Sequence, residues 1–498
     1  MTQRNSYGQI LRSSSIIGGA SVINILVGLL RLKVAAVLLG PAGVGLIGLL
    51  QNLMATSATV ASLGIGMVGT RQIAEANGRD AQHAVAAARR ALFWGTLVLA
   101  ALGGSGFWLL RNHLARWILD LALPGPAVGW LAVGVALTVA AGSQVALLNG
   151  LRRISDIAWV NVLSALLSTA LGVGALAAWG EAGVVVFVLS APIATFVLGH
   201  LYVSRLPRVV ASATPFPELL AQWGTLLRLG AAFMVSGLLV TLGQLAVRTL
   251  VQRELGADAL GQFQAAWMIS MTYIGFVLGA MATDYYPRLT AAIRDPAAVN
   301  RMVNEQTEVA LLLAGPVFLA MLGLAPWVIE LLYSRQFDLA AEVLRWQVLG
   351  DVLKLLSWPL GFILLALGHG RTFMLTESLA IATFTGLTWL GLPLLGVEAT
   401  GIAFLGMYMV YLPVVYLLAR SITGFRWDRS VVRLAIATIS AAAAVMAVSR
   451  ISDTAAAFAG LVLAAASALF GLRRLRQEIP MLAGLAVFDR LRAWVARR

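Results

Sequence analysis

The chain has 498 residues, 60% of them hydrophobic and 12% charged, and its mean hydropathy is +0.86. Soluble domains run nearer one half apolar and about one quarter charged, so a single water-soluble core is excluded and lipid must be the solvent for most of the chain. The formal charge of +14 is nearly all arginine at the ends of apolar segments, which reads as membrane topology rather than nucleic-acid binding, and the absence of cysteine excludes disulfides and thiolate metal sites.

A bilayer core of about 30 Å needs about 20 apolar residues per helix. Fourteen segments qualify, near 14–39, 44–68, 86–110, 127–148, 157–178, 184–203, 229–252, 259–281, 306–332, 343–367, 373–395, 399–420, 431–449 and 455–472. All are expected to be helices, because an open strand would leave backbone groups unpaired in lipid. The first apolar stretch runs from near Ser13 beyond Arg31, too long for a cleavable signal peptide. With the N-terminus inside, inside loops and tails carry 26 arginines and outside loops carry five, Arg111, Arg116, Arg253, Arg335 and Arg450. Positive charge therefore places both termini in the cytoplasm. The four histidines, His83, His113, His200 and His369, are never in a paired spacing. No metal or other cofactor is expected.

The chain contains an internal echo. Leu39-Gly40-Pro41-Ala42-Gly43-Val44-Gly45 follows the first segment, and Leu255-Gly256-Ala257-Asp258-Ala259-Leu260-Gly261 follows the seventh. An arginine precedes each turn glycine, Arg31 by nine residues and Arg248 by eight. Two parallel six-helix repeats explain this pattern. The expected organisation is an all-α membrane protein: a six-helix lobe over 1–205, a cytoplasmic linker over 206–228 and a second six-helix lobe over 229–420. Two peripheral helices follow over 421–472, expected to be in part dispensable for transport, and then a basic amphipathic tail over 473–498 lying on the inner leaflet.

Charges within the apolar segments are the candidate site, since each costs about 2.5–3.5 kcal/mol on insertion scales. The two lysines of the chain, Lys33 and Lys354, both fall within apolar segments. Arg31 is expected to face a cavity. Lys33 lies about 200° round the helix from it, directed to the outer interface or to a second partner. Lys354 has Asp351 three residues earlier, close enough to pair on one helical face. Glu377 in the next segment is a further membrane acid with a proton-coupling role in view, and Arg248 is placed near the outer end of its helix, where snorkelling is the alternative. Asn24, Gln51, Asn52, Asn161 and Gln244 read as interhelical hydrogen-bonding amides. Fixed arginine in a desolvated cavity favours an anion such as phosphate.

The stretch Trp346-Gln347-Val348-Leu349-Gly350-Asp351-Val352-Leu353-Lys354 resembles the W-Q-x-x-G-D-x-x-K segment of Wzx-type flippases for enterobacterial common antigen (lipid III) and O-antigen. The likeness continues at Gly361-Phe362, Arg371 to Phe373, Glu377, Ala403 to Tyr411, Asn149-Gly150-Leu151-Arg152 and Tyr286-Pro287-Arg288-Leu289, and covers about 1–420. This family lies in the multidrug/oligosaccharidyl-lipid/polysaccharide exporter (MOP) superfamily. The resemblance implies a V-shaped pair of lobes working by alternating access. Its implied cargo is an undecaprenyl-diphosphate-linked oligosaccharide moved from inner to outer leaflet, with membrane lipids and a polymerase or chain-length regulator of the same pathway as partners. Related lipid II flippases share the arginine at Arg31's place but carry another about nineteen residues after the turn glycine, where this chain has Ala58-Thr59-Val60. Three other readings are a lipid II flippase, a drug or ion antiporter of the superfamily, and a membrane enzyme acting on lipid-linked glycans. The cavity cations disfavour a cationic drug. An enzyme needs acids or bases in a sizeable outside loop, and these loops are short; no phosphate-cradling glycine loop precedes a lysine.

Overall fold

The computed structural model describes residues 3–78, 82–120, 122–207 and 216–478. Among them the chain is helical and forms no strand. The helices are α1 (Gln3–Ser62), α2 (Ile65–Gly78), α3 (Gln82–Trp117), the single turn α4 (Gly125–Gly129), α5 (Leu131–Gly150), α6 (Ile154–Trp179) and α7 (Val184–Ser204). After them come α8 (Phe216–Ala292), α9 (Pro296–Leu332), α10 (Asp338–Ala366), α11 (Gly370–Leu395), α12 (Glu398–Thr423), α13 (Arg429–Ser449) and α14 (Asp453–Glu478). Ten helices among the described residues are long and apolar enough to cross a membrane. Some of these are double. Gly18–Ser62 has 45 residues, about twice the length one bilayer needs, and it breaks at Gly40 (φ 64°, ψ −166°). The long α8 breaks in the same way at Gly256 (φ 84°, ψ −177°). Only glycine tolerates that backbone region at little cost. All fourteen predicted segments fall on helical residues, apart from short breaks at Leu63–Gly64 and Trp130 and the terminal Leu367.

The chain forms two compact units, residues 1–265 with 331–337, and residues 266–330 with 338–498. This division falls later in the chain than the expected 206–228 linker. Residues 208–215 of that stretch lie outside the described residues, and α8 already begins at Phe216. The expected tail helix lies outside the described residues from 479 on.

In the first unit the two echo turns pack directly on each other. A Cβ on Gly45 would lie 2.6 Å from the Gly261 nitrogen and 2.7 Å from the Ala257 oxygen, while one on Gly261 would overlap the Pro41 carbonyl. The repeated glycines therefore serve close backbone approach as well as turning. Elsewhere in the unit, Ile65, Val68, Leu92, Leu148 and Val160 form an apolar core over which Trp223 donates its indole N–H to the Ala91 carbonyl at 3.0 Å.

The second unit holds packed aromatics, Trp267 stacked on Phe384 and edge-on to Phe404, and Tyr285 tilted against Trp358 and edge-on to Phe362. Its last two helices, though largely exposed, are fastened to the rest of the unit. Helix α14 lies against α9 through small residues. A Cβ on Gly323 would meet the Ala456 oxygen at 2.6 Å, and one on Gly460 the Gly323 Cα at 2.9 Å. At one end, fully buried Arg345 pairs with Glu342 at 2.5 Å and Asp453 at 2.6 Å, and Arg450 pairs with Glu398 at 2.5 Å. At the other end, Arg474 pairs with Glu308 at 3.0 Å. Side-chain packing at this depth is not visible in an alanine-rich sequence, which is why the fastening was missed.

Two outcomes follow. Replacing Glu342 by Gln together with Asp453 by Asn leaves Arg345 buried without its acids and is expected to cost about 3–5 kcal/mol, read as a lower Tm of the detergent-solubilised protein. An unchanged Tm would show that the ion network does not hold the last helices. Gly261→Leu should cost roughly 1–3 kcal/mol or more by overpacking, seen as loss of the monodisperse peak in size-exclusion chromatography.

Candidate functional site

In the first unit, Arg31 on α1 turns toward α6 and α7. Its Nη1 donates to Ser168 Oγ at 3.0 Å, and its Nη2 donates to the Phe187 carbonyl at 2.5 Å and to Ser190 Oγ at 2.9 Å. The guanidinium also lies 4.2 Å over the Phe187 ring, an arrangement worth about 0.5–2 kcal/mol. Its Nε is shut off from solvent without a partner. No carboxylate pairs with Arg31 among the described residues, so the partners satisfy its hydrogen bonds and leave its full positive charge. Gly172 admits the group: a Cβ there would sit 3.4 Å from Nη2.

Lys33 faces elsewhere, as its position round the helix requires. Its Nζ donates to the Tyr333 carbonyl at 2.5 Å, so the side chain takes a second partner within the first unit, just beyond the end of α9. Arg248 departs further from expectation. It is 3% exposed, donating Nε–H to Gln264 Oε1 at 3.0 Å and Nη1–H to the Gln244 carbonyl at 3.1 Å, with the Phe263 ring 5.7 Å away. Snorkelling is overturned because the Gln264 side chain and the main-chain carbonyl of Gln244, one turn back on the same helix, supply acceptors inside the helix packing. Asn52 reaches the same cluster by donating to Gln244 Oε1 at 3.4 Å. Arg31, which is partly buried, and Arg248, which is buried, are equivalent in the sequence echo, and both hydrogen-bond to uncharged acceptors.

The second unit holds a separate polar cluster. Asp351 is fully buried. Its Oδ2 accepts from Ser270 Oγ at 2.7 Å and from the Tyr273 hydroxyl at 2.5 Å, while Oδ1 has no partner. The ion pair expected with Lys354 is not made: α8 supplies two hydroxyls to the carboxylate, and the lysine turns away. Lys354 Nζ contacts Met271 Sδ at 3.5 Å and lies 5.9 Å from the Phe404 ring centroid, with no oxygen acceptor among the described residues. It remains within electrostatic range of both Asp351 and Glu377. Glu377 accepts a hydrogen bond from the Tyr411 hydroxyl at 2.7 Å. Gln347, one turn before Asp351, is fully buried with both amide atoms unpartnered. An ammonium flanked by two carboxylates that it does not directly bind can change partners with little rearrangement.

The sequence reading missed the hydroxyls that dress these charges, Ser168, Ser190, Ser270, Tyr273 and Tyr411. Their signal is weak, a polar tip within an otherwise apolar helix, and partner choice depends on contacts between distant segments. The buried Arg345 was also missed; its spacing of three from Glu342 was the available clue.

Solved transporters share this fold. The lipid II flippase MurJ in an inward closed conformation superposes with TM-score 0.68 at 10% identity, covering 93% of this chain and 99% of its own. An inward-facing multidrug resistance MATE family transporter of the MOP superfamily gives 0.67 at 18% identity, covering 82% of this chain and 98% of its own. The fold is thus the one these transporters share, in line with the all-α expectation. The lipid III flippases of Escherichia coli (strain K12) and Shigella flexneri are each 24% identical over 392 residues, covering 74% of this chain and 88% of theirs. These relatives are flippases and transporters, not catalysts. A family model described as polysaccharide biosynthesis protein matches residues 10–292, more than half of the sequence, and the chain belongs to that family.

Arg31→Gln removes the positive charge and keeps most of the hydrogen-bonding reach. It is expected to leave Tm within a few degrees, whereas Arg248→Ala, which orphans Gln264 at a buried position, should destabilise by about 1–3 kcal/mol. Equal losses for both would show that Arg31 is held only for structure.

Proposed function

We propose that the chain is a flippase for a lipid-diphosphate-linked oligosaccharide of the O-antigen or common-antigen type, moving its cargo from the inner to the outer leaflet of a bacterial inner membrane by alternating access. The observation that carries this reading is Arg31: a guanidinium inside a membrane helix bundle, hydrogen-bonded by neutral groups and matched by no carboxylate among the described residues. Such a group attracts a diphosphate and cannot deprotonate to escape its cost. The resemblance to lipid III flippases supports this cargo class, and the missing arginine around Ala58-Thr59-Val60 argues against lipid II.

In this reading Arg31 is the phosphate anchor of the first unit, with Arg248 and Lys33 adding positive field nearby. Lys354 in the second unit is a further phosphate-responsive cation. Asp351 and Glu377 form the coupling element: when an anion or a proton competes for their charge, the ammonium between them is released or recaptured, which supplies the differential interaction that alternating access requires. The sequence repeats supply the two lobes, 1–205 and 229–420, and the arginine asymmetry puts both termini in the cytoplasm. A polymerase or chain-length regulator would take the product on the outer face.

The test is complementation of flippase-null strains that differ in their lipid-linked glycan. Arg31→Ala and Lys354→Ala should each lower surface glycan severalfold with normal membrane insertion. Wild-type glycan levels with both substitutions combined would remove the cation model. Rescue of one null strain and not another would identify the glycan class.

A further inference from the structure

A groove of about 680 Å³ lies among α9, α13 and α14, apart from the charged cluster around Lys354. On each helix the lining residues fall within a twelve-residue stretch: Glu308 to Leu319, Ser430 to Ala441, and Leu463 to Arg474. At 1.5 Å per residue each stretch is about 16 Å long, one half of a hydrocarbon core about 30 Å thick. The two ends differ in chemistry. Glu308, Ser430, Arg433 and Arg474 gather at one end, and Leu319, Ala441 and Leu463 line the other. Between them the wall is kept shallow by alanines at 437, 441 and 466. Larger side chains at these positions would close the slot, as the glycine contacts close the neighbouring α9–α14 seam.

The charges at the mouth do not cancel. Glu308 accepts from Arg474 Nε at 3.0 Å and from Ser430 Oγ at 3.4 Å. Arg433 donates its Nε–H to the Arg429 carbonyl at 3.1 Å and has no acid partner among the described residues. Among the described residues that line the groove, two guanidiniums and one carboxylate leave one positive charge at the polar end. The ligand that matches a slot one leaflet long, apolar along its length and cationic at one mouth, is an amphiphile with a single-leaflet acyl chain and an anionic head. The arginine asymmetry places that mouth at the inner face.

We propose that this groove is a binding site for an anionic phospholipid of the inner leaflet, its phosphate on Arg433 and Ser430 and one acyl chain in the slot. The lipid fills the space between the last two helices and α9, so that the second unit is completed by a membrane component. A polyprenyl tail reaching past the bilayer midplane would outrun a slot one leaflet long, which separates this site from one for transport cargo.

The full-length protein, purified and delipidated in detergent, is titrated with dioleoyl phosphatidylglycerol and separately with dioleoyl phosphatidylcholine, and bound lipid is counted by native mass spectrometry. One phosphatidylglycerol should be retained at concentrations where phosphatidylcholine is not. Arg433→Gln, at an exposed position that leaves the fold intact, should weaken phosphatidylglycerol roughly fivefold. Ala437→Trp should fill the slot and abolish retention. Equal retention of the two lipids, an unchanged affinity in Arg433→Gln, or a folded Ala437→Trp that still binds would each overturn the proposal. So would displacement of the phosphatidylglycerol by equimolar undecaprenyl phosphate, which would make the groove a cargo site.

Discussion

Removing a guanidinium from water is the constraint around which the helices are arranged. The chain meets it in three ways. Arg345 is neutralised by Glu342 and Asp453 and so ties helices together. Arg248 is held by the Gln264 side chain and the main-chain carbonyl of Gln244. Arg31 is held by two serine hydroxyls, a backbone carbonyl and an aromatic face. Hydrogen bonds to a charged donor are worth about 1.5–3 kcal/mol each, enough together to offset a bilayer-centre cost of about 2.5–3.5 kcal/mol on insertion scales. Neutral acceptors make burial tolerable without removing the charge, and that distinction separates a cation available to a ligand from one committed to the fold.

The second unit solves the same problem with both signs of charge. Asp351, Lys354 and Glu377 lie near one another, yet each carboxylate takes its hydrogen bonds from hydroxyls and the ammonium rests on a thioether and an aromatic ring. A closed ion pair would be dry and static. Here the hydroxyls of Ser270, Tyr273 and Tyr411 occupy the carboxylates, so the lysine's charge is shared between two acids at a distance. The unpartnered Oδ1 of Asp351 and amide of Gln347 mark this as a place with hydrogen-bonding capacity in reserve.

The last two helices show the same economy of charge used for assembly. Ion pairs sit at both ends of α14, and between them glycines let the backbones of α9 and α14 approach without a hydrophobic driving force, as helix association in lipid requires. Where alanines replace closer packing, the slot opens.

Apolar length and arginine placement are one-dimensional properties, so the sequence alone determined a polytopic helical membrane protein, its spans, and the glycine turns at Gly40 and Gly256 where the spans divide. It also singled out Arg31, Lys33, Arg248, Asp351, Lys354 and Glu377, because any charge within twenty apolar residues stands out. What it could not determine was the direction in which each one points. A helix apolar on every side carries no stripe to indicate its neighbours, and each partner comes from a segment far along the chain: Ser168 and Ser190 for Arg31, Tyr333 for Lys33, Gln264 for Arg248, Ser270 and Tyr273 for Asp351. The spacing of Asp351 and Lys354 permitted a local pair, but the hydroxyls of α8 took the carboxylate. Tertiary packing alone decided which charges were neutralised, which were merely solvated by the protein, and that the final two helices belong to the body of the second unit.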